Sequence, residues 1–408
     1  MRVASLLVAV CLLAIAPHLH AQNVQHSPLD GAVVRVLALG SAELHEISRE
    51  GVTAKLAVPT SGHGSGFITH STGLVVTAAH VVQGARHVSV MLPGSHRAYP
   101  AKVVLANDAQ DYAFVRVAGE FRDVAKLAAP EDRLSVRQNV FAVGYPIDAT
   151  RTDPQSTPGV VSSSLPDGML QLAMSVNHGN SGGPVIDAQE QVRGILVARS
   201  NLERGYTGLA WAVPNQLYQG DLAAILADGR HLKDEALLRA PEQQKLSDLA
   251  ALLAYEGPEL MRSSLDDAVE GAKAREQRVV QQAEQLPGSA EAQLLAACFF
   301  WNRHVLEQLR QAPSATALRA RAQQYVLAAV KLDATLQRES EFVKLVLGRG
   351  APVVRDAAQA VAGTSVPLRF EKARGSDDVA LFIGDPNSPH QWRLGYGYVS
   401  YARMLTER

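Results

Sequence analysis

Residues 177–184 read Asn-His-Gly-Asn-Ser-Gly-Gly-Pro, and this stretch decides how the first half of the chain is interpreted. A serine hydroxyl becomes a nucleophile when a base removes its proton and hydrogen-bond donors stabilise the oxyanion that forms. The glycines around Ser181 allow a tight turn in which the amides of Gly179 and Ser181 point into one small pocket. The stretch therefore predicts Ser181 as a nucleophile, with an oxyanion hole built from its own backbone.

Two segments upstream of this turn supply the base and the carboxylate that such a serine needs. Residues 75–82 read Val-Val-Thr-Ala-Ala-His-Val-Val, an apolar run that places His80 at the end of a predicted strand. Residues 108–117 read Asp-Ala-Gln-Asp-Tyr-Ala-Phe-Val-Arg-Val, in which Asp111 stands directly before an alternating strand. Asp108 lies one loop step away and is a second candidate for the same role. We expect His80 to act as the base and Asp111 to orient its ring.

The pattern Gly-x-Ser-x-Gly at residues 179–183 also fits the nucleophile elbow of α/β-hydrolases. That fold needs a helix directly after the serine, and its acid and histidine follow the nucleophile in the chain. Here Pro184 and then an apolar Val-Ile pair follow, which is typical of a turn into a strand, and both candidate partners come earlier. The order of the residues therefore excludes the elbow.

The first half of the chain has the patterning of an all-β fold. From about residue 32 to residue 213, short apolar runs alternate with Gly, Pro, Asn and Asp. Many short strands at this spacing predict a sandwich or a barrel.

Together these segments resemble the trypsin-fold serine peptidases, and more closely their HtrA/Deg branch. The motifs that carry the resemblance are Gly64-Ser65-Gly66-Phe67, Thr77-Ala78-Ala79-His80, Asp111-Tyr112-Ala113-Phe114-Val115, Ala142-Val143-Gly144-Tyr145-Pro146, Gly179-Asn180-Ser181-Gly182-Gly183-Pro184 and Gly208-Leu209-Ala210-Trp211-Ala212-Val213-Pro214. The resemblance covers roughly residues 30–217. It implies a trypsin-like double β-barrel with the active site in the cleft between the barrels, and a serine endopeptidase that needs no cofactor.

The resemblance also implies a substrate preference. In trypsin-like enzymes a carboxylate six residues before the serine selects Lys or Arg, and here that position is Ser175. Leu196, Val197 and Ala210 come from segments that resemble the pocket walls. They imply a small apolar pocket that accepts side chains of the size of Val, Ala or Leu.

The remaining histidines show no spacing typical of metal ligands, and no metal site is predicted. His178, although close to Ser181, is predicted to face solvent. Surface positions are also expected for His63, His70, His87 and His96.

The N-terminus predicts export. Residues 1–21 combine a basic start, an apolar run and a cleavage point after Ala21, as in a secretory signal peptide rather than a stable membrane anchor. A bacterial periplasmic or secreted location follows, and Cys298, left as the remaining cysteine after Cys11 is removed, is predicted to be buried in a helix. The net charge of −1 gives no field that would favour nucleic acid.

The pattern changes after the first half, so the 408-residue chain is predicted to be multidomain. The expected units are a protease domain at 22–217 and a mainly α-helical C-terminal domain at 218–408, built from helical hairpins. Helix breaks are predicted at Pro241, Gly257-Pro258, Pro287-Gly288 and Pro313. Residues 324–333 resemble the second helix of a tetratricopeptide repeat, although no 34-residue period is present. A last helix is expected around residues 398–406, and the Gly-Leu-Gly-Phe type of loop of a PDZ domain is not found.

Two functions stay open at this point. The first is an exported serine endopeptidase that acts on proteins or peptides in envelope quality control or processing. The second is a latent or weakly catalytic protease-fold protein that works as a binding protein or chaperone, with a helical domain that recruits a protein partner.

Overall fold

A closed β-barrel of six antiparallel strands begins the structure. The computed structural model describes residues 27–49, 52–146, 152–177, 179–197, 208–262, 274, 277–278, 280–309, 313–348, 353–355, 368–372, 378–383 and 392–400, so the predicted signal peptide lies outside it. The strands, in the order in which they pair, are β1 (Val33–Arg49), β4 (His87–Met91), β5 (Ala98–Asn107), β6 (Tyr112–Val117), β3 (Leu74–Thr77) and β2 (Val52–His70). Pairing of β1 with β2 closes the ring. Two short helices flank it, α1 (Pro28–Ala32) before β1 and α2 (Ala79–Val82) after β3.

A second closed barrel follows. Its strands are β7 (Asn139–Gly144), β8 (Gln155–Ser164), β9 (Leu170–Ala173), β10 (Pro184–Ile186), β11 (Val192–Val197) and β12 (Leu209–Pro214). They pair antiparallel in the order β10-β11-β12-β9-β8-β7. Side chains that are fully removed from solvent, such as Val140, Leu172, Val185 and Leu196, fill its interior. The double barrel that the sequence predicts is confirmed.

The two barrels share a hydrophobic cluster in addition to their own interiors. Phe67 and Val76 from the first barrel lie in one cluster with Val143 and Ile195 from the second. Each of the four is at most 4% exposed, so the barrels pack tightly where they face each other. This contact holds the two barrels against each other.

The second half is mainly helical. Its α-helices are α3 (Gln219–Asp228), α4 (Glu235–Leu238), α5 (Pro241–Arg262), α6 (Ala290–Leu309), α7 (Ala315–Leu332), α8 (Leu336–Glu339) and α9 (Glu341–Leu347). A 3₁₀ turn at Asn215–Leu217 joins β12 to α3, and a second one at Arg230–Leu232 lies between α3 and α4. Among the residues that the structure describes, no helix has the length and apolar character needed to cross a bilayer.

Helices α6 and α7 form the predicted antiparallel hairpin. Near the end of α6 the His304 ring lies 2.7 Å from the carbonyl of Ala315 at the start of α7, and one turn earlier Phe300 stacks on Tyr325. Cys298 is buried in α6, as predicted, and burial raises the pKa of its thiol above the ordinary value.

Two predictions about the second half are wrong. The Gly257-Pro258 pair does not end a helix, because α5 continues to Arg262; a proline removes one backbone hydrogen bond, and the turns on either side can still form. The expected helix at 398–406 is instead the end of β16 over residues 398–400, with 401–408 outside the described residues. Alternating aromatic residues such as Tyr396 and Tyr398 favour a strand there.

Four strands complete the second half. They are β13 (Val353–Arg355), β14 (Leu368–Lys372), β15 (Asp378–Ile383) and β16 (Trp392–Ser400). The last three form a small antiparallel sheet in this order, whereas β13 adds to the first barrel by pairing with the start of β2.

The helical half and the first barrel share one hydrophobic core. Leu37 and Leu56, from β1 and β2, lie in the same buried cluster as Leu249 of α5 and Trp301 of α6. The domain boundary predicted at residue 217 assigns α3 to the C-terminal domain. In the structure, Leu222 and Ile225 of α3 belong to the hydrophobic cluster that the two barrels share.

Polar side chains join the two halves within this core. The Asn302 amide donates to the carbonyl of Ala57 at 2.7 Å and accepts from its N–H at 2.8 Å. The Trp301 indole N–H donates to the carbonyl of Lys55 at 2.8 Å. Together they occupy outer backbone groups of β2 that pair with no further strand among the described residues.

His87 is buried and not at the surface, which corrects the prediction. It is 5% exposed on β4, and its Nε2 lies 3.0 Å from the hydroxyls of both Ser89 and Ser247. Helix α5 carries Ser247 and covers the ring. Burial lowers the pKa of His87 from 6.5 to about 4.

Candidate active site

His80 lies on a single turn of helix just after a buried strand. The four residues of β3 are all buried, and α2 begins two residues after its end. Ala79, Val81 and Val82 of α2 are buried, whereas the His80 side chain is 39% exposed. The sequence predicts His80 at the strand end itself. The helical turn instead anchors it by its apolar neighbours and leaves the imidazole facing outwards.

Asp111 holds this imidazole from the start of β6. His80 Nδ1 lies 2.9 Å from Asp111 Oδ2 and 3.0 Å from Oδ1, and the His80 backbone N–H also donates to Oδ1 at 3.0 Å. Asp111 is 4% exposed, whereas Asp108, the second candidate, is exposed to solvent. The carboxylate that contacts the histidine is therefore that of Asp111.

The backbone of Asp111 is in an uncommon conformation. Its φ of 58° lies in the left-handed region, which Asp tolerates better than most residues with a side chain. A residue held there by three contacts to His80 is positioned at a conformational cost, as residues of functional sites often are.

Ser181 lies in a tight turn that is held by backbone hydrogen bonds within the turn and to β11. The amide of Asn180 donates to the carbonyl of Asn177 at 3.2 Å, that of Gly182 to Leu196 at 2.8 Å, and that of Gly183 to Asn180 at 3.0 Å. Ser181 itself is 8% exposed. The turn is therefore fixed on both sides of the serine.

Glycine is required at two positions of this turn. Gly179 has a φ of 94°, and a Cβ there would lie 2.2 Å from the carbonyl oxygen of Tyr145. Gly182 has a φ of 87°, and its Cβ would lie 2.2 Å from Thr77 Oγ1 and 2.9 Å from the amide of Ala78. The second contact packs the residue after Ser181 against the strand end that leads into α2, so the segments of Ser181 and His80 touch.

The predicted pocket residues have different environments. Ser175 is exposed to solvent. Leu196, Val197 and Ala210 are each 0% exposed, so in this structure none of them lines open surface. The segment 198–207, between two of the strands concerned, and His178 lie outside the described residues. The assignment of a substrate pocket stays a prediction.

Sequence reasoning missed two residues that support the turn. Ser65 is completely buried, and its backbone N–H donates to the carbonyl of Ser181 at 2.7 Å. Tyr145 is also buried; its hydroxyl lies 3.1 Å from the carbonyl of Val33, and burial raises the pKa of its phenol above the ordinary value. The glycines on both sides of Ser65 were the available signal, because glycine inside a strand indicates close approach of another backbone.

Metal sites in proteins require several ligand side chains that lie close together. Within the described ranges, no group of three or more His, Cys, Asp or Glu side chains could hold a metal ion.

Comparisons with known proteins concern the first half of the chain. Residues 64–195 match the family described as "trypsin-like peptidase domain". The chain is 31% identical over 177 residues to the "Probable periplasmic serine endoprotease DegP-like" of Marinomonas sp. (strain MWYL1), over 42% of this chain and 37% of that protein. It is 30% identical over 161 residues to the "Magnetosome formation protease MamE" of Magnetospirillum gryphiswaldense, over 37% of this chain and 21% of that protein.

The match therefore spans less than two fifths of the length of either relative. Among solved structures, the serine endoprotease of Yersinia pestis aligns with a TM-score of 0.39 and 23% identity, over 51% of this chain and 69% of that one.

Proposed function

We propose, from a chain whose first half is a trypsin-fold serine peptidase domain of the HtrA/Deg type, that the whole protein is a serine endopeptidase. The contact of 2.9 Å between His80 Nδ1 and Asp111 is the observation that carries this proposal. A carboxylate on Nδ1 fixes the ring so that Nε2 is the basic atom, which is the tautomer that proton abstraction from a serine requires.

In the proposed reaction, Ser181 attacks the carbonyl carbon of a peptide bond while His80 Nε2 accepts the hydroxyl proton. The carbonyl oxygen becomes an oxyanion, which accepts hydrogen bonds from the amides of Gly179 and Ser181. His80 then gives the proton to the leaving amine, and an acyl-enzyme remains on Ser181. A water molecule, deprotonated by His80, releases the second product. Asp111 stays ionised throughout and stabilises the imidazolium.

The proposed preference is for small apolar side chains before the scissile bond. Ser175 provides no carboxylate to pair with a basic substrate residue, and Ala210 comes from a segment typical of the pocket wall. A peptide library is expected to show cleavage after Val, Ala or Leu. Dominant cleavage after Lys or Arg would contradict this preference.

We place this activity in the bacterial periplasm or outside the cell, on protein or peptide substrates in quality control or processing. Support comes from the basic and apolar residues of 1–21 and from the word periplasmic in the name of a relative. Fractionation of cells that produce the tagged chain is expected to recover it, shortened at its N-terminus, in the periplasm or the medium. Recovery of the uncleaved chain in the cytoplasm would contradict this.

Labelling with a fluorophosphonate probe tests the proposed nucleophile. We expect the purified chain to react, and the Ser181→Ala and His80→Ala variants not to react. Ser164→Ala is the matched control, because it removes an exposed hydroxyl on β8 of the same barrel, and it should label like wild type. A wild-type chain that does not label, but binds unfolded protein as well as Ser181→Ala does, would instead support the binding or chaperone function.

A further inference from the structure

Ser65 connects the first barrel to the turn that carries the proposed nucleophile. It lies on β2, and its hydroxyl donates to the carbonyl of Gly179 at 2.6 Å. Its backbone N–H donates to the carbonyl of Ser181 at 2.7 Å. The same hydroxyl accepts the amide of Tyr145 at 2.9 Å, so one buried side chain joins three segments.

These contacts fix three consecutive peptide units around the oxyanion turn. The unit between Gly179 and Asn180 is held at its oxygen by Ser65 and at its N–H by Asn177. The unit after Ser181 is likewise held at its oxygen by Ser65 and at the N–H of Gly182 by the second barrel.

The unit between them donates the amide of Ser181, and its oxygen accepts from Gly183 at 3.0 Å. Ser65 thus supplies two of the three carbonyl partners, one on each side of that amide. The orientation of the Ser181 amide depends on it, because this amide belongs to a planar unit that lies between two units whose carbonyls Ser65 holds.

We propose that Ser65 is the positioning residue that sets the direction of the Ser181 amide, which donates to the oxyanion beside the amide of Gly179. It contacts neither the substrate nor the reacting atoms, and it acts by holding the oxyanion turn of the second barrel on a strand of the first. Thr77, in turn, donates to the carbonyl of Ser65 at 2.7 Å and holds the strand in place. This inference rests on the proposed peptidase function, because only an oxyanion gives these amides a catalytic task.

The test compares Ser65→Ala with a matched hydroxyl on the same strand. Thr69 also donates to a backbone carbonyl, that of Leu74 at 3.0 Å, four residues farther along β2. Removal of a whole oxyanion donor typically costs about 100- to 1000-fold in kcat. Ser65→Ala removes the hydroxyl bond to Gly179 but keeps the backbone bond to Ser181, so it should cost less, about 10- to 100-fold. We expect this fall in kcat for Ser65→Ala, with KM changed less than about twofold, and no comparable fall for Thr69→Ala.

A peptide aldehyde provides a readout that a merely structural role would not change. Its adduct with Ser181 places an oxygen anion in the oxyanion hole, so its affinity should fall in Ser65→Ala by the same factor as kcat/KM. The affinity of the corresponding peptide carboxamide, which forms no adduct, should stay the same. If Ser65→Ala does not fold, Thr77→Val loosens the strand one step away and should lower kcat about 3- to 10-fold in the same pattern.

The outcomes separate the two proposals. A wild-type chain that fails to label would overturn the peptidase function and this inference with it. A wild-type chain that labels, with Ser65→Ala kinetics within twofold of it or with equal losses of aldehyde and carboxamide binding, would overturn the role of Ser65 alone.

Discussion

Replacement of Asn302 by alanine tests whether the helical half and the first barrel form one folding unit. Asn302 is 2% exposed and Ala57 is fully buried, so water cannot replace the two hydrogen bonds that join them. Each buried backbone group that loses its partner costs about 1–3 kcal/mol. The alanine regains about 0.5 kcal/mol from its higher helix propensity. The free energy of unfolding should therefore fall by about 2–5 kcal/mol.

Urea unfolding of the chain in a Ser181→Ala background, which removes self-cleavage, measures this loss. Gln323→Ala is the control, because Gln323 makes one amide-to-backbone bond of 3.1 Å to Val346 and is only partly buried. We expect that control to lose about 0.5–1.5 kcal/mol. A loss below about 1 kcal/mol for Asn302→Ala, or one no larger than that of the control, would refute a shared core held by this side chain.

Three further predictions concern the site and the interface. Asp111→Asn should lower kcat about 10⁴-fold, because the amide leaves the imidazole in the wrong tautomer. The variant should still fold, since Asn tolerates a left-handed backbone. The control Asp108→Asn should change kcat less than about twofold. Gly179→Ala should lower the rate of fluorophosphonate labelling by at least about 100-fold, because its Cβ would meet the Tyr145 carbonyl at 2.2 Å and turn an oxyanion donor away. His87 has a pKa of about 4 in the folded protein against an ordinary 6.5, so the unfolded chain takes up its proton first as the pH falls. This residue should therefore remove about 3 kcal/mol of stability between pH 6.5 and pH 4, and urea unfolding of His87→Gln should show a correspondingly flatter dependence on pH.

The contact of His80 with Asp111 and the tight turn at Ser181 could be predicted from the sequence because their signals are local. His80 and Asp111 each stand next to a buried strand, and the glycines that the turn around Ser181 requires can be read directly from the sequence. The double barrel follows from the same alternation of short apolar runs with turn residues. The contact of Ser65 with the Ser181 turn is harder to predict, because the two serines are 116 positions apart. The one sequence signal for Ser65 is the glycine on each side of it.

The union of the two halves could not be predicted. Asn302 and Ala57 are 245 positions apart. No pattern in α6 indicates that the side-chain amide of Asn302 makes the two hydrogen bonds with β2 that a neighbouring strand would otherwise make. His87 follows the charged Arg86 at the start of β4, and α5, which is distant in the sequence, packs over it. The helix predicted at 398–406 overlaps the end of a strand over residues 398–400, because a short segment of mixed polarity does not distinguish the two by periodicity.

The outer edge of β2 at Lys55 and Ala57 has a consequence for solubility. Strand edges with open N–H and C=O groups are templates on which another chain can add a strand, and proteins cover them to avoid aggregation. Here the cover comes from Trp301 and Asn302, more than 240 residues later in the chain. A peptidase domain produced without α6 would expose this edge together with apolar side chains beside it, and would associate with further copies of itself through intermolecular β-sheet. The helical half thus covers this edge of the first barrel.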